Sequence, residues 1–212
     1  MIKAISFDIG GTLIKPSENE SLIQQLSTLS TKSTEVVKRA YKEHFLTKCI
    51  SLAEFCEKTN IKQAVLLNRI NHYYKFKAQA TVWEDVPVVL EQLKRLNLVL
   101  IAISNSSYMN PFHLNSYGLQ SWFAQEIYSY EVGYAKPHVS IFQYAQQLLQ
   151  MRPYEILHVG NSYMSDYLGA KRAHWNSILL HRQYGCTLIQ KNIFVINSLY
   201  NLSDYLQEFF RG

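Results

Sequence analysis

From residue 83 onward, short and mostly apolar segments alternate with helical patterns, and this alternation limits the possible folds more than any other feature. The apolar segments are residues 98–103, 126–128, 156–159 and 177–180, and the helical patterns are residues 85–96, 111–117, 138–151 and 166–173. Continuous apolar strands separated by helices are typical of a parallel sheet that helices cover on both faces. The sequence therefore predicts an α/β fold with a doubly wound parallel sheet.

One more strand is predicted at the start of the chain, where the apolar run of residues 2–7 stops at Asp8 and a pair of glycines follows. From residue 21 to residue 76 the pattern is helical and gives no strand signal. This block is predicted to be a small all-helical domain inserted after the first strand. The predicted division is an α/β core of residues 1–14 and 81–212 and a helical domain of residues 15–80.

Each predicted core strand is followed by small polar or charged residues. They are Asp8, Gly10, Gly11 and Thr12 after the first strand, Ser104 and Asn105 after the second, Lys136 after the third, and Asn161 and Asp166 after the fourth. In a doubly wound sheet, ligands bind outside the carboxyl ends of the strands. Hydroxyl groups, glycine amides and one cation, Lys136, suit an anion. We therefore expect an anion-binding site at this edge of the sheet.

Four segments resemble the motifs of the haloacid dehalogenase superfamily, whose members are hydrolases with an aspartate nucleophile. The segments are Asp8-Ile9-Gly10-Gly11-Thr12-Leu13, Ile101-Ala102-Ile103-Ser104-Asn105, Gly133-Tyr134-Ala135-Lys136-Pro137 and the run from Gly160 to Ala170. The resemblance covers the whole chain, since the core is similar to the Rossmann-like core of that superfamily and the helical insertion to its small cap. The run His158-Val159-Gly160 resembles the rhythmically expressed gene 2-like subgroup.

The resemblance implies a role for each matching residue. It implies that Asp8 attacks the phosphorus of a small phosphorylated metabolite and forms a covalent intermediate, with Lys136 as a second catalytic residue. The implied Mg²⁺ ligands are Asp8, the carbonyl oxygen of Gly10, Asn161 and Asp166, and the implied phosphate-binding residues are Gly11, Thr12, Ser104, Asn105 and Lys136. The implied activity is that of a Mg²⁺-dependent phosphatase.

Two matching positions depart from the superfamily pattern, and both lack a carboxylate. Gly10 stands where the superfamily has its general acid/base, and losing such a group typically costs about 10²–10⁴-fold in rate. Asn161 keeps an oxygen for Mg²⁺ but lacks the negative charge of an aspartate. An active enzyme should therefore prefer leaving groups that need no protonation. The alternative hypothesis is a non-catalytic binding protein whose protein partner docks on the tyrosine-rich helical domain.

Residues 8–12 and Lys15 also resemble the phosphate loop of sugar kinases with the actin-like ATPase fold. That fold needs β-hairpins directly after the loop, whereas this chain becomes helical by Ser21. Its duplicated domains also need a substantially longer chain than 212 residues. The hydrolase interpretation is therefore favoured over the kinase interpretation.

Composition limits the partners and the location. The net charge of +5 is spread along the chain without a block rich in lysine or arginine, which disfavours a nucleic-acid partner. The sequence shows neither a signal peptide nor a stretch of roughly 18 apolar residues, so we expect a cytoplasmic protein that does not cross a membrane. Cys49, Cys56 and Cys186 lack C-x-x-C spacing and are predicted to be free thiols.

The site hypothesis makes a geometric prediction. Asp8, Ser104, Lys136 and Asp166 should converge in one cleft between the core and the helical domain. Lys136 should lie near the carboxylates, because an unpaired ammonium that is partly buried would be costly. Gly10 should leave open space at the position where the superfamily has its acid.

Two other sets of residues have competing interpretations. His158 lies within an apolar strand, which favours a hydrogen-bonded core histidine over a catalytic one. Lys38, Lys42 and Lys48 of the helical domain are candidates to reach a substrate, although a solvated position is the default for a lysine.

Overall fold

A computed structural model describes residues 1–17, 21–110, 113–182, 188–190, 193–202 and 205–206. The described strands are β1 (Ala4–Phe7), β2 (Ile14–Lys15), β3 (Thr81–Val82), β4 (Val99–Ser104), β5 (Gln125–Tyr128), β6 (Ile156–Gly160), β7 (Asn176–Leu180), β8 (Leu188–Gln190) and β9 (Ile193–Ile196). Seven of them form one sheet in the order β5-β4-β1-β6-β7-β9-β8. Within this sheet only β8 is antiparallel to its neighbour. The predicted parallel sheet is confirmed.

Helices cover both faces of the sheet. The described α-helices are α1 (Leu22–Leu29), α2 (Thr34–Tyr41), α3 (Leu52–Thr59), α4 (Gln63–Lys77), α5 (Asp85–Arg95), α6 (Ser129–Val132), α7 (Val139–Leu149) and α8 (Leu168–Arg172). On one face, Phe7 and Leu100 of the sheet belong to the same buried apolar cluster as Leu90 of α5. On the other face, a separate cluster joins Ile101 to Phe142 of α7. These two clusters make the sheet doubly wound.

Helices α1 to α4 form an all-helical insertion between β2 and β3. The insertion has an apolar cluster of its own, which includes Leu26, Phe45 and Leu66. Strands β2 and β3 pair in antiparallel fashion and bring the two ends of the insertion together. The all-helical insertion after the first core strand is therefore present as predicted. The division into domains at residues 14 and 81 stays a prediction.

Serine caps help to fix where two of the inserted helices begin. Ser21 accepts a hydrogen bond from the N–H group of Gln24 at 3.3 Å, and the Gln24 side chain accepts one from the N–H group of Ser21 at 2.8 Å. Ser51 accepts a hydrogen bond from the N–H group of Glu54 at 3.1 Å. These contacts satisfy N–H groups that have no partner within the first helical turn.

Several short elements differ from the sequence-based expectation. The pairs β2–β3 and β8–β9 were not predicted, because β2, β3 and β8 span only two or three residues and carry too little periodicity to be recognised. The first two residues of the helix predicted at 166–173 belong to a π-helical turn at Tyr163–Tyr167, and α8 then follows. Within the predicted helix 111–117, a 3₁₀ turn spans Leu114–Tyr117, and residues 111 and 112 lie outside the described residues.

Two remaining expectations concern cysteines and membranes. Cys49 and Cys56 are free thiols, as predicted, whereas Cys186 lies outside the described residues. In the described part of the chain, no helix combines the length and the apolar character that crossing a bilayer requires.

Candidate active site

The parallel register brings the ends of three strands together. In the sheet, β1 lies between β4 and β6, and Phe7 is paired with Ala102 on one side and Val159 on the other. The N–H group of Asp8 donates to the carbonyl oxygen of Val159 at 2.9 Å, which continues the ladder by one residue. The side chains that follow β1, β4 and β6 therefore meet at one edge of the sheet.

Lys136 lies at the centre of this edge. Its Nζ atom donates to Oδ1 of Asp8 at 2.7 Å, to Oδ1 of Asp166 at 2.6 Å and to the carbonyl oxygen of Ile103 at 2.7 Å. The lysine is only 3% exposed and Asp166 only 1%. All three ammonium protons are thus used, and the predicted proximity of Lys136 to the carboxylates is confirmed.

The side chain of Asn105 fixes the backbone of Lys136. Its amide nitrogen donates to the Lys136 carbonyl oxygen at 2.9 Å, and its amide oxygen accepts from the Lys136 N–H group at 2.7 Å. This pair of bonds links the end of β4 to the loop that carries the lysine. The structure thus gives the Asn105 side chain a positioning function that the sequence did not reveal, and the phosphate-binding role of Asn105 stays a prediction.

Asp166 has partners on both carboxylate oxygens. Oδ2 accepts from the N–H group of Ser162 at 2.8 Å, and Oδ1 lies 3.3 Å from Nε2 of His158. Nδ1 of His158 lies 3.0 Å from the Ser6 hydroxyl. His158 is therefore a hydrogen-bonded core histidine, as expected. In addition, its contact with Oδ1 helps to fix the position of the Asp166 carboxylate.

Burial and the charges of neighbouring groups set the protonation states of Asp8, Lys136 and Asp166. Burial raises the pKa of Asp8 to about 6, although Lys136 opposes the rise. Burial also favours neutral Asp166, but Lys136 and His158 outweigh it and hold the pKa of Asp166 well below its usual range. Burial disfavours the Lys136 ammonium, yet the two carboxylates raise its pKa by more. At neutral pH the cluster therefore holds two carboxylates and one ammonium.

The glycine pair after Asp8 has two different functions. A methyl group added at Gly10 would meet no atom within 4 Å, so the predicted open space is present. At Gly11, φ is +80° and an added Cβ would lie 2.3 Å from the Asn161 amide. Only glycine fits this second position without strain, because φ is in the left-handed region and the asparagine approaches closely.

Asn161 lies beside Asp8 and Gly10. With its nitrogen turned toward them, the amide donates to the Gly10 carbonyl oxygen at 3.3 Å and to Oδ2 of Asp8 at 3.2 Å. With its oxygen turned toward them instead, the amide would place a third oxygen beside Oδ2 of Asp8 and the carbonyl oxygen of Gly10. The Asn161 side chain can thus either donate hydrogen bonds to Asp8 and Gly10 or provide an oxygen ligand to a cation.

These residues border a cavity of about 270 Å³. The predicted site residues that line it are Asp8, Gly10, Ser104, Asn105, Lys136, Asn161 and Asp166. Thr12 is fully buried, and its hydroxyl lies 3.4 Å from Oδ2 of Asp8. Gly11 lines two neighbouring cavities instead. The phosphate-binding roles of Gly11 and Thr12 therefore stay predictions.

A second lysine, Lys77 at the end of α4, also lines the cavity. The sequence did not single it out, because its position depends on how the insertion folds against the core. Of the three candidate lysines, Lys38 pairs with Glu35 at 3.0 Å, and Nζ of Lys48 lies 5.3 Å from the centre of the Tyr108 ring. As far as the chain is described, none of these three lysines lines the cavity.

A separate ion pair, between Arg182 and Asp85, lies next to the loop that contains Gly10 and Gly11. Both Nη atoms of Arg182 donate to Asp85, at 2.9 and 3.0 Å, and Nη2 also donates to the carbonyl oxygen of Thr12 at 2.7 Å. Asp85 accepts further bonds from the Ser198 hydroxyl at 2.7 Å and the Leu199 N–H group at 2.8 Å. This pair fixes the backbone just beyond the site.

Comparison with known proteins identifies the family of the chain. A family model described as haloacid dehalogenase-like hydrolase matches residues 2–174. The Rhythmically expressed gene 2 protein of Drosophila melanogaster is 31% identical over 136 residues, which make up 59% of this chain and 52% of that protein. The chain spans about half the length of the first curated relatives it matches.

Two phosphatases are also similar to the chain. The Glyceraldehyde 3-phosphate phosphatase of Methanothermobacter thermautotrophicus is 27% identical over 203 residues, which cover 86% of this chain and 87% of that protein. The crystal structure of a HAD phosphatase from Thermococcus onnurineus superimposes with a TM-score of 0.64 at 25% identity. That comparison covers 97% of this chain and 98% of the other.

Proposed function

We propose that this chain, which belongs to the haloacid dehalogenase-like hydrolase family, is a Mg²⁺-dependent phosphatase of small phosphorylated metabolites. The observation that carries the proposal is the buried Lys136 ammonium, which lies between Asp8 and Asp166 at the edge of a cavity. Perturbed pKa values beside a cavity are typical of functional sites. The similarity to two phosphatases supports phosphate as the transferred group.

In the proposed reaction, a carboxylate oxygen of Asp8 attacks phosphorus, and the bond from phosphorus to the leaving-group oxygen breaks. Water then attacks the phosphorus of the aspartyl phosphate, and the bond from phosphorus to the Asp8 oxygen breaks. Phosphate leaves, a proton goes to solvent, and the Asp8 carboxylate is restored. Lys136 holds Asp8 in place and reduces its repulsion of the anionic substrate. The Ser104 hydroxyl and the N–H group of Asn105 are proposed to bind the phosphoryl oxygens. The N–H group of Gly11 instead donates to the carbonyl oxygen of Ile14 at 2.8 Å.

The residues beside Asp8 fit a magnesium ion, which prefers hard oxygen ligands. Oδ2 of Asp8, the carbonyl oxygen of Gly10 and the Asn161 amide lie together, and the amide can turn its oxygen toward the other two. When bound, Mg²⁺ would compensate the charge of the phosphoryl group. Both oxygens of Asp166 already accept hydrogen bonds, so we expect Asp166 to contribute mainly through its charge. Asn161 should make the binding weaker than an aspartate would.

The missing acid at Gly10 makes a prediction about substrates. An alcohol leaving group departs poorly without a proton donor, whereas acyl and aryl leaving groups need none. We therefore expect faster turnover of acetyl phosphate and p-nitrophenyl phosphate than of a hexose phosphate, in each case only with Mg²⁺. Phosphate release should be measured for all three substrates, with and without EDTA. Faster turnover of the hexose phosphate would contradict this account of Gly10.

A non-catalytic binding protein is the second candidate function, since two carboxylates expected in the family are absent at Gly10 and Asn161. The double variant Gly10→Asp/Asn161→Asp separates the two candidates. The open space at Gly10 accepts a side chain without a clash, so we expect the variant to fold and to turn over a hexose phosphate about 10²-fold faster than the wild type. No gain in turnover, together with no Mg²⁺ binding by the wild type in calorimetry, would favour the binding protein.

A further inference from the structure

We propose that Lys77 binds a second anionic group of the substrate, so that the site selects phosphorylated compounds whose leaving group carries a carboxylate or a similar anion. This inference rests on the proposed function, because it assigns the part of the substrate that lies beyond the phosphoryl group. Position, charge and space around Lys77 support it.

The backbone at Lys77 is fixed at the mouth of the cavity. Lys77 is the last residue of α4, and its carbonyl oxygen accepts from the N–H group of Ala80 at 3.0 Å. The hydroxyl of Ser17 donates to the preceding carbonyl oxygen, that of Phe76, at 2.6 Å. The side chain enters the cavity from the insertion, whereas Asp8 and Lys136 belong to the core. A substrate between them would touch both parts of the molecule.

Lys77 also carries a positive charge that no described carboxylate neutralises in an ion pair. Lys136 is paired with two carboxylates, but among the described residues no carboxylate lies within ion-pair distance of Lys77. Its Nζ atom lies 5.9 Å from the centre of the Tyr74 ring, a contact that suits a cation. An ammonium that is partly buried without an anion is costly, and a substrate anion would remove that cost.

The amine is charged at neutral pH. Burial lowers the pKa of Lys77 to about 8, and the negative charge of Asp8 partly opposes the decrease. The ammonium form therefore predominates near pH 7.

The cavity leaves room for a short leaving group beside Lys77. No side chain extends from Gly10, and an added Cβ there would meet nothing within 4 Å. A neighbouring cavity of about 340 Å³ shares Gly10, Lys77 and Asn161 with this one. A leaving group on a phosphoryl group at Asp8 therefore has room to extend along Lys77 and to place an anion beside its ammonium group.

Calorimetric titration with two phosphonates tests the inference without any turnover. Phosphonoacetate carries the second anion, ethylphosphonate has a similar size without it, and neither is hydrolysed. With Mg²⁺ present, we expect the wild type to bind phosphonoacetate at least about tenfold more tightly, as one charge-assisted hydrogen bond would give. Lys77→Met should bind both phosphonates equally well, and Lys77→Arg should keep the preference.

Lys75→Met is the matched control, because Lys75 lies on the same helix and is exposed. It should keep the wild-type preference, which would exclude a general effect of net charge. An equal preference in Lys77→Met and wild type, or no preference in the wild type, would overturn the inference. Failure of the proposed phosphatase activity would be seen separately, as a wild type that binds phosphonates but releases no phosphate from acetyl phosphate.

Discussion

In the described part of the chain, two clusters of charged side chains lie largely out of solvent, and they differ in their charge balance. In the first, Arg182 pairs with a single carboxylate, Asp85. In the second, Lys136 is shared between Asp8 and Asp166 at the edge of a cavity. The first cluster is balanced by its own residues, whereas the second has one carboxylate more than it has cations. The second cluster is therefore suited to receive a further cation, and the first is not.

The pKa values of the two aspartates shift in opposite directions. Burial raises the pKa of Asp85, but its bonds to Arg182, Ser198 and Leu199 lower it by more, so the net pKa is lowered. Burial raises the pKa of Asp8 to about 6, and Lys136 only partly opposes this. An ionised Asp85 thus stabilises the fold, whereas an ionised Asp8 destabilises it. We infer that Asp85 stabilises the fold and that Asp8 serves the proposed reaction as its nucleophile.

The largest effect is expected from Lys136→Met. Methionine fills a similar volume but leaves two buried carboxylates without a cation, so the free energy of unfolding should fall by about 5 kcal/mol, the upper end for breaking a buried pair. Urea denaturation measures this change. Lys75→Met, at an exposed position, should change the free energy by less than about 0.5 kcal/mol. Equal effects of the two variants would refute the view that Lys136 balances the second cluster.

A smaller loss of stability is expected from Asp85→Asn. Asparagine keeps an acceptor for Ser198 and Leu199 but leaves the Arg182 guanidinium without a counter-charge, so we expect a loss of about 3 kcal/mol. In the wild type, this contribution is present above the unfolded pKa of 3.8 and is lost as the pH falls below it. Turnover of acetyl phosphate per folded molecule should not change. A folded variant that had lost turnover would show that the Asp85–Arg182 pair positions the site through Thr12 and does not serve stability alone.

The sequence predicted the two clusters to different extents. Asp8, Lys136 and Asp166 follow strands of a recognisable parallel sheet, and the topology of such a sheet places strand ends together. The pair of Asp85 and Arg182 was not predicted, because Asp85 lies at the start of α5 and not at a recognised strand end, although Arg182 follows β7. Lys77 was missed for a related reason: which face of a helix meets the core depends on packing between the insertion and the sheet.

The edge of the sheet was the least predictable part of the fold. Strands β1, β4, β6 and β7 are buried along most of their length and give continuous apolar runs. By contrast, β8 spans only three residues, so its pattern is too short to distinguish from a loop.

Asp8→Asn tests the central claim, which is that the cluster of Asp8, Lys136 and Asp166 serves the proposed reaction and that its ionised Asp8 lowers the stability of the fold. The folded pKa of Asp8 is raised from 3.8 to about 6, so the ionised carboxylate destabilises the fold increasingly between these values and fully above them. At neutral pH the uncharged asparagine should therefore raise the free energy of unfolding, by up to about 3 kcal/mol. Near pH 4 this gain should disappear, and turnover of acetyl phosphate should be absent at every pH.

The measurement is the free energy of unfolding of wild type and Asp8→Asn at neutral pH, with phosphate release recorded on the same samples. We predict a variant that is at least as stable as the wild type and releases no phosphate. A loss of stability as large as that of Asp85→Asn, or turnover that survives the substitution, would contradict the account.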